Sequence, residues 1–278
     1  MNKPRQENEA TNATGVAAFF DLDGTLLAPP SLERRFFQTL RHQRAIPLGN
    51  YWRWVREALR LARCGIDQAT KANKMYLRGV SPKRSGAGWF YIPAFFPEAV
   101  ARAAWHAREG HSIVIVSGTL QALAERAAKA LEEELRVHGV SRASAGLRVC
   151  ATRVEELSGE WTGRIVGEAT FAKAKARAVG RIADEMHLDL AQCFAYGDSA
   201  DDRWMLEAVG KPGAVNASKE LRRIAEERGW TSLEWRGNGI STQSVQRTET
   251  RQEKKESLGA QADASKTRAK ALKAGANR

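Results

Sequence analysis

Nothing constrains this chain more than the point where its first apolar run stops. Val16 to Phe20 is the length of one buried strand, and it ends in Asp21-Leu22-Asp23-Gly24-Thr25. Gly24 allows a sharp turn, and Thr25 adds a hydroxyl and a backbone N–H beyond it. In an open α/β sheet, ligands bind outside the carboxyl ends of the strands. Two acids at that edge repel unless a cation neutralises them, and hard oxygen ligands suit Mg²⁺. Alone, the segment would be an ordinary Asp-Gly surface turn.

Two later runs end in the same way. His111 to Val116 delivers Ser117-Gly118-Thr119, and Cys193 to Tyr196 delivers Gly197-Asp198-Ser199-Ala200-Asp201-Asp202. Helical patterns separate the runs, over Pro97–Glu109, Leu120–Val137 and Thr170–His187. Val149–Val154 and Trp161–Ile165 read as a hairpin turning at Ser158-Gly159. A last short strand is expected at 214–216 and a helix at Lys219–Arg228. This alternation predicts an α/β fold, a doubly wound, Rossmann-like parallel sheet with helices on both faces. Asp21, Ser117 and Asp198 then meet at one sheet edge. Asp201, beside other acids, is expected to be solvated.

These stretches resemble, in order and position, the four motifs of the haloacid dehalogenase superfamily, in its phosphoserine-phosphatase-like branch. The resemblance covers roughly residues 15 to 237 and implies a small α-helical cap inserted after the first strand. It also implies a Mg²⁺-dependent phosphomonoester hydrolase. Asp21 would be the nucleophile that forms an aspartyl-phosphate. Asp23 would be the general acid/base, a residue that the dehalogenases of the family lack. The metal would be held by the Asp21 carboxylate, the Asp23 carbonyl and Asp198, with Asp202 orienting ligands or the lysine. Thr25, Ser117 and the Gly118 N–H would face the phosphoryl group. The third motif needs a lysine. Phe171, Ala174, Ala178, Val179 and Ile182 define one inward helix face, and Lys175 falls on it whereas Lys173 does not.

The formal net charge of +12 is uneven. Between Ala28 and Phe95 stand thirteen Lys or Arg and three acids, a net of +10, and residues 247 to 278 add +5. The expected organisation is a disordered lead-in (1–14), a core (15–27 and 94–240), a helical cap (28–93) and a disordered basic tail (241–278). Within the cap, helices are expected from Ser31 onward, over Asn50–Arg63, and over Asp67–Gly79. Tyr51, Trp52, Trp54, Leu59 and Leu61 accompany a row of Arg53, Arg56, Arg60 and Arg63. Packing of these apolar residues into the cap's own core is one reading. The other is that the helix lies on an anionic membrane surface.

The basic insert suits a small or lipid-linked phosphate. A phosphoserine phosphatase proper is the alternative, although the Phe-x-x-Ser-Leu-x-x-Arg-Val segment and the ammonium-binding acid of such caps are not recognisable in 28–93. A basic protein that binds nucleic acid or another polyanion is a further alternative, without any base-reading motif to support it. Three widely spaced cysteines, five histidines without metal spacing, no signal-peptide core and no bilayer-length apolar run lead to a cytoplasmic expectation. Attachment at the inner face of the membrane remains compatible with it. Composition leaves the oligomeric state open.

Overall fold

Strand β1 (Ala17–Phe20) is buried along its whole length because it lies in the middle of a sheet that is covered on both faces. The computed structural model describes residues 15–236 except 64, 87, 89 and 141–146. The expected lead-in and basic tail therefore lie outside the described residues.

The other strands of this sheet are β2 (Ser112–Leu120), β3 (Arg148–Thr152), β6 (Phe194–Gly197), β7 (Lys211–Val215) and β8 (Thr231–Leu233). Their order is β3-β2-β1-β6-β7-β8, and every neighbouring pair is parallel. From β1 the chain builds outward to β3, then returns across the sheet and builds outward from β6 to β8. The reversal between β1 and β6 opens a crevice at their carboxyl ends, where such sheets bind ligands. The register is fixed there: Phe20 stands opposite Ile115 on β2 and Tyr196 on β6, and Asp21 N–H donates to the Tyr196 carbonyl at 2.9 Å.

Alternation along the strands sorts the core into two layers. Ala18, Phe20, Ile113 and Ile115 pack against α4 (Pro97–Arg108) and α5 (Gln121–Val137). Ala17, Phe19, Val114 and Val116 pack against α6 (Lys173–Met186), α7 (Arg203–Glu207) and α8 (Lys219–Arg228). The doubly wound expectation holds. One pairing differs: Arg148–Thr152 joins the edge of β2 in the main sheet. The hairpin at Ser158-Gly159 is instead β4 (Val154–Leu157) with β5 (Glu160–Ile165). A buried partner edge was available at β2, and local alternation carries no information about that choice.

Between β1 and α4 the insert forms α1 (Leu32–His42), α2 (Leu48–Ala62), α3 (Ile66–Lys71) and two 3₁₀ turns, Met75–Leu77 and Pro82–Ser85. Ser31 caps α1, its hydroxyl accepting from Arg34 N–H at 3.3 Å. The expected helix over Asp67–Gly79 breaks after Lys71. There the Asn73 side chain donates to the Trp54 carbonyl (2.8 Å) and accepts from Met75 N–H (3.2 Å), which gives the backbone an alternative to the helix. The hairpin braces the insert: Gly79 N–H donates to the Trp161 carbonyl and Trp161 N–H to Val80, at 2.8 and 3.0 Å. The apolar residues of α2 divide. Trp54 and Leu61 turn partly inward, whereas Leu48, Trp52, Val55 and Leu59 are exposed.

Candidate active site

Asp21 follows β1 directly and is buried, so its carboxylate meets whatever the neighbouring strand ends supply. β6 supplies Asp198 and the turn Ala200–Asp202, and α6 supplies Lys175. The Lys175 ammonium donates to Asp21 Oδ1 and Asp202 Oδ1, both at 2.5 Å. Lys175 is buried and Lys173 is exposed, its ammonium over the Trp204 ring at 4.9 Å. The helical phase read from the sequence therefore separates the two lysines as expected.

Asp202 is fully buried and fully engaged. Its Oδ2 accepts from the Ser199 hydroxyl (2.8 Å), Ser199 N–H (2.9 Å) and Asp198 N–H (3.2 Å), and Oδ1 takes the lysine. Burial opposes its ionisation. Lys175 and the Ser199 donors outweigh that cost and hold the carboxyl below the ordinary aspartate value. Burial likewise works against the Lys175 ammonium, and Asp202 and Asp21 overcome it, holding the pKa above the usual lysine range.

The remaining acids are under-neutralised. Burial raises the Asp21 pKa well above its ordinary value. Lys175 opposes this, while Asp202, Asp198 and Asp23 add to it. Asp198 is pushed up to about 7, first by burial and then by Asp202. Carboxylate oxygens of Asp21, Asp198 and Asp202 lie within 4.8 Å of one another. Hard oxygen donors, crowded and served among the described residues by Lys175, fit a divalent cation such as Mg²⁺. Asp21 and Asp198 are the carboxylates with capacity to hold it, since Asp202 is already saturated. Two glycines permit this crowding. A Cβ at Gly24, whose φ is +93°, would lie 2.2 Å from the Asp198 carboxylate, and one at Gly197 would lie 2.4 Å from Asp202 Cβ.

Asp23 is tied elsewhere. Its Oδ1 accepts from Leu32 N–H at 2.6 Å, linking the motif to the first turn of α1. Burial, partly offset by that bond, raises its pKa to about 6, close to the value that suits a general acid and base near neutrality. Ser117 and Gly118 line the same cavity, and the Ser117 hydroxyl accepts from Thr119 N–H at 3.2 Å. Thr25 is not brought into it: the residue is completely buried, and its hydroxyl has no partner among the described residues.

The cavity, about 700 Å³, runs from these acids up into the insert, where Phe37, Tyr51 and Trp54 form its wall with Phe171 of the core. Trp54 packs against the hydrophobic core, as the packing reading has it, and lines the cavity as well. Asp201 is not merely solvated, because it lines the cavity and pairs with Lys71 of the insert. The sequence reading also missed Glu33, an acid in the cavity wall whose carboxylate accepts from Lys74 (2.7 Å to each oxygen) and from the Tyr76 hydroxyl (2.7 Å). A first-turn acid ten residues beyond Asp23 was the available signal, and it looks like a common helix-dipole partner.

Comparisons with known proteins show what the whole chain is similar to. Residues 18–207 match the family described as haloacid dehalogenase-like hydrolase. A probable phosphatase of Mycobacterium tuberculosis is 30% identical over 237 residues, covering 78% of this chain and 75% of that protein. A phosphoserine phosphatase of the same organism is 42% identical over 85 residues, 31% of this chain and 28% of that one. Among solved structures, a protein with unknown function from Bordetella pertussis Tohama I superposes with a TM-score of 0.59 at 28% identity, covering 79% of this chain and 98% of that chain.

Proposed function

Because the chain belongs to the haloacid dehalogenase-like hydrolases and is a phosphatase, we propose that it hydrolyses phosphomonoesters with Mg²⁺, through a phosphoryl group carried on Asp21. The observation that carries this reading is the convergence of Asp21, Asp198, Asp202 and Lys175 at the end of β1. Asp21 attacks the phosphorus and the ester oxygen departs. Asp23, its pKa raised by burial to about 6, gives its proton in the protonated form to that oxygen and then, as the carboxylate, takes one from the water that cleaves the aspartyl-phosphate. Lys175 balances the charge on the transferring group, and Ser117 with Gly118 N–H binds its oxygens. Asp202 fixes Lys175 and the 198–199 backbone. Bound between Asp21 and Asp198, with the Asp23 carbonyl as a third donor, Mg²⁺ would supply neutralisation of the phosphoryl oxygens.

The residues 28–93 act as a cap that shapes the leaving-group side. An aromatic wall and a Glu33 already occupied by Lys74 and Tyr76 favour a partly apolar leaving group, small or lipid-linked. Phosphoserine is the second reading, favoured by the phosphoserine phosphatase relative. Against it stands the pairing of Glu33, which leaves that acid little capacity for a substrate ammonium. Free Cys150 and Cys193 suit a reducing cytoplasmic compartment, and no helix among the described residues is long and apolar enough to cross a membrane.

Purified protein should release phosphate from p-nitrophenyl phosphate with Mg²⁺ and lose this activity in EDTA. Asp21→Asn should abolish turnover while the circular dichroism spectrum stays unchanged. Wild-type activity in that variant would overturn the mechanism. A panel of phosphomonoesters with phosphoserine beside phosphorylated lipids separates the two substrate readings.

A further inference from the structure

Helix α2 has three faces. Asn50, Trp54 and Leu61 point inward, and Asn50 Nδ2 anchors the helix by donating to the Tyr76 and Arg78 carbonyls at 3.2 and 2.6 Å. A second face carries Leu48, Trp52, Val55 and Leu59. These positions are spaced by four, three and four residues, so they form one continuous stripe. The stripe is in the open: Leu48 is 86% exposed, Trp52 72% and Leu59 70%. The third face, beside it, carries Arg53, Arg56, Arg60 and Arg63.

The surroundings strengthen this charge. Arg53, Arg56 and Arg60 of this row form one wall of a groove whose other wall includes Arg78, Arg164 and Lys173, with Glu57 and Glu168 as its acids. Glu57 is occupied by Arg60, and Glu168 by Arg177. Arg56 has no hydrogen bond or ion pair among the described residues. A nucleic-acid backbone would satisfy the arginines and leave the Leu-Trp-Val-Leu stripe in water. A second copy of this chain would cover the stripe while bringing two arginine rows together. An anionic bilayer surface satisfies both at once, with a tryptophan and aliphatic residues entering the headgroup boundary and arginines meeting phosphates beside them.

We propose that α2 docks this protein on anionic lipid surfaces through Leu48, Trp52, Val55 and Leu59, with Arg53, Arg56 and Arg60 contacting the headgroups. Tyr51, at the edge of the stripe, also lines the catalytic cavity, so docking sets the cavity mouth beside the bilayer. The docking stands independently of the phosphatase reading, because it concerns a face that takes no part in the chemistry.

Full-length protein would be sedimented with vesicles of phosphatidylcholine alone or mixed equally with phosphatidylglycerol. Binding is expected on the mixed vesicles only, weakening as salt rises. Trp52→Glu combined with Leu59→Glu should lower the partition coefficient at least about tenfold. Arg56→Gln combined with Arg60→Gln should lower it by about fivefold per arginine removed. Melting temperature and circular dichroism check that each variant is folded. Equal recovery on neutral and anionic vesicles, or on neither, would overturn the proposal. So would wild-type recovery of the Trp52/Leu59 variant, which would assign binding to another basic region. A dimer in analytical ultracentrifugation that this variant dissolves would assign the stripe to a second copy instead. Turnover of soluble p-nitrophenyl phosphate is read separately and reports on the phosphatase reading alone.

Discussion

At the scale of single residues, the two lysines at the start of α6 offer the sharpest contrast. They are two positions apart, yet one is held between two buried carboxylates and the other lies in solvent over Trp204. Removing Lys175 would leave Asp21 and Asp202 facing each other without a cation, and the transferring group without its charge partner. Lys175→Ala should therefore lower kcat by about 10³ or more, while Lys173→Ala stays within about twofold. Steady-state kinetics on p-nitrophenyl phosphate checks both, and the reverse result would move the third motif by two residues. The inward placement of Lys175 was legible in the sequence, because a 3.6-residue period tells inward from outward. The pairing of Asp23 with Leu32 N–H was not. Nothing in a sequence says which backbone donor a carboxylate will find once a helix has docked above it.

Elements are held to one another by polar contacts as well as by apolar packing. The clearest case joins α4 to β6. His106 is completely buried, its Nε2 2.9 Å from the Tyr196 hydroxyl and its Nδ1 2.9 Å from Nδ1 of His111. Two ring nitrogens at that separation share one proton, so both rings cannot be charged. Burial first, then His111, push the His106 pKa down to about 2. Below its ordinary pKa of about 6.5 the unfolded chain binds a proton that the folded protein refuses. Stability from this group is thus complete above that pH and is lost as pH falls toward 2, by about 1.4 kcal/mol per unit. Urea denaturation at pH 8 and pH 5 should show a larger loss in the wild type than in His106→Gln. Equal losses would mean that His106 titrates freely. Elements also mark where reading by pattern ends. Each strand next to a motif was visible as a short apolar run. The shift of Arg148–Thr152 into the main sheet and the existence of β8 were not, because both depend on distant partners.

For the molecule as a whole, the catalytic edge carries more negative charge than its own residues neutralise, and the folded state bears that cost. On the proposed reading, Mg²⁺ would bind there only when Asp21 and Asp198 have been brought together, and would stabilise the native chain by mass action. Saturating Mg²⁺ should raise the melting temperature by about 5 °C. Asp198→Asn should lose most of that rise, and calorimetry without substrate reads the effect. Strand order has a consequence of another kind. The two neighbours of β1 come from very different distances along the chain: Phe20 pairs with Ile115 on one side and with Tyr196 on the other. A ribosome therefore releases Asp21 and Ser117 long before it releases the strand that fills the open edge beside them. Until Tyr196 emerges, a central hydrophobic strand is exposed along one side, the kind of edge that recruits other chains. Synthesis of this protein is thus a period of guardianship, in which nascent chains stalled before β6 should be the species most dependent on chaperones.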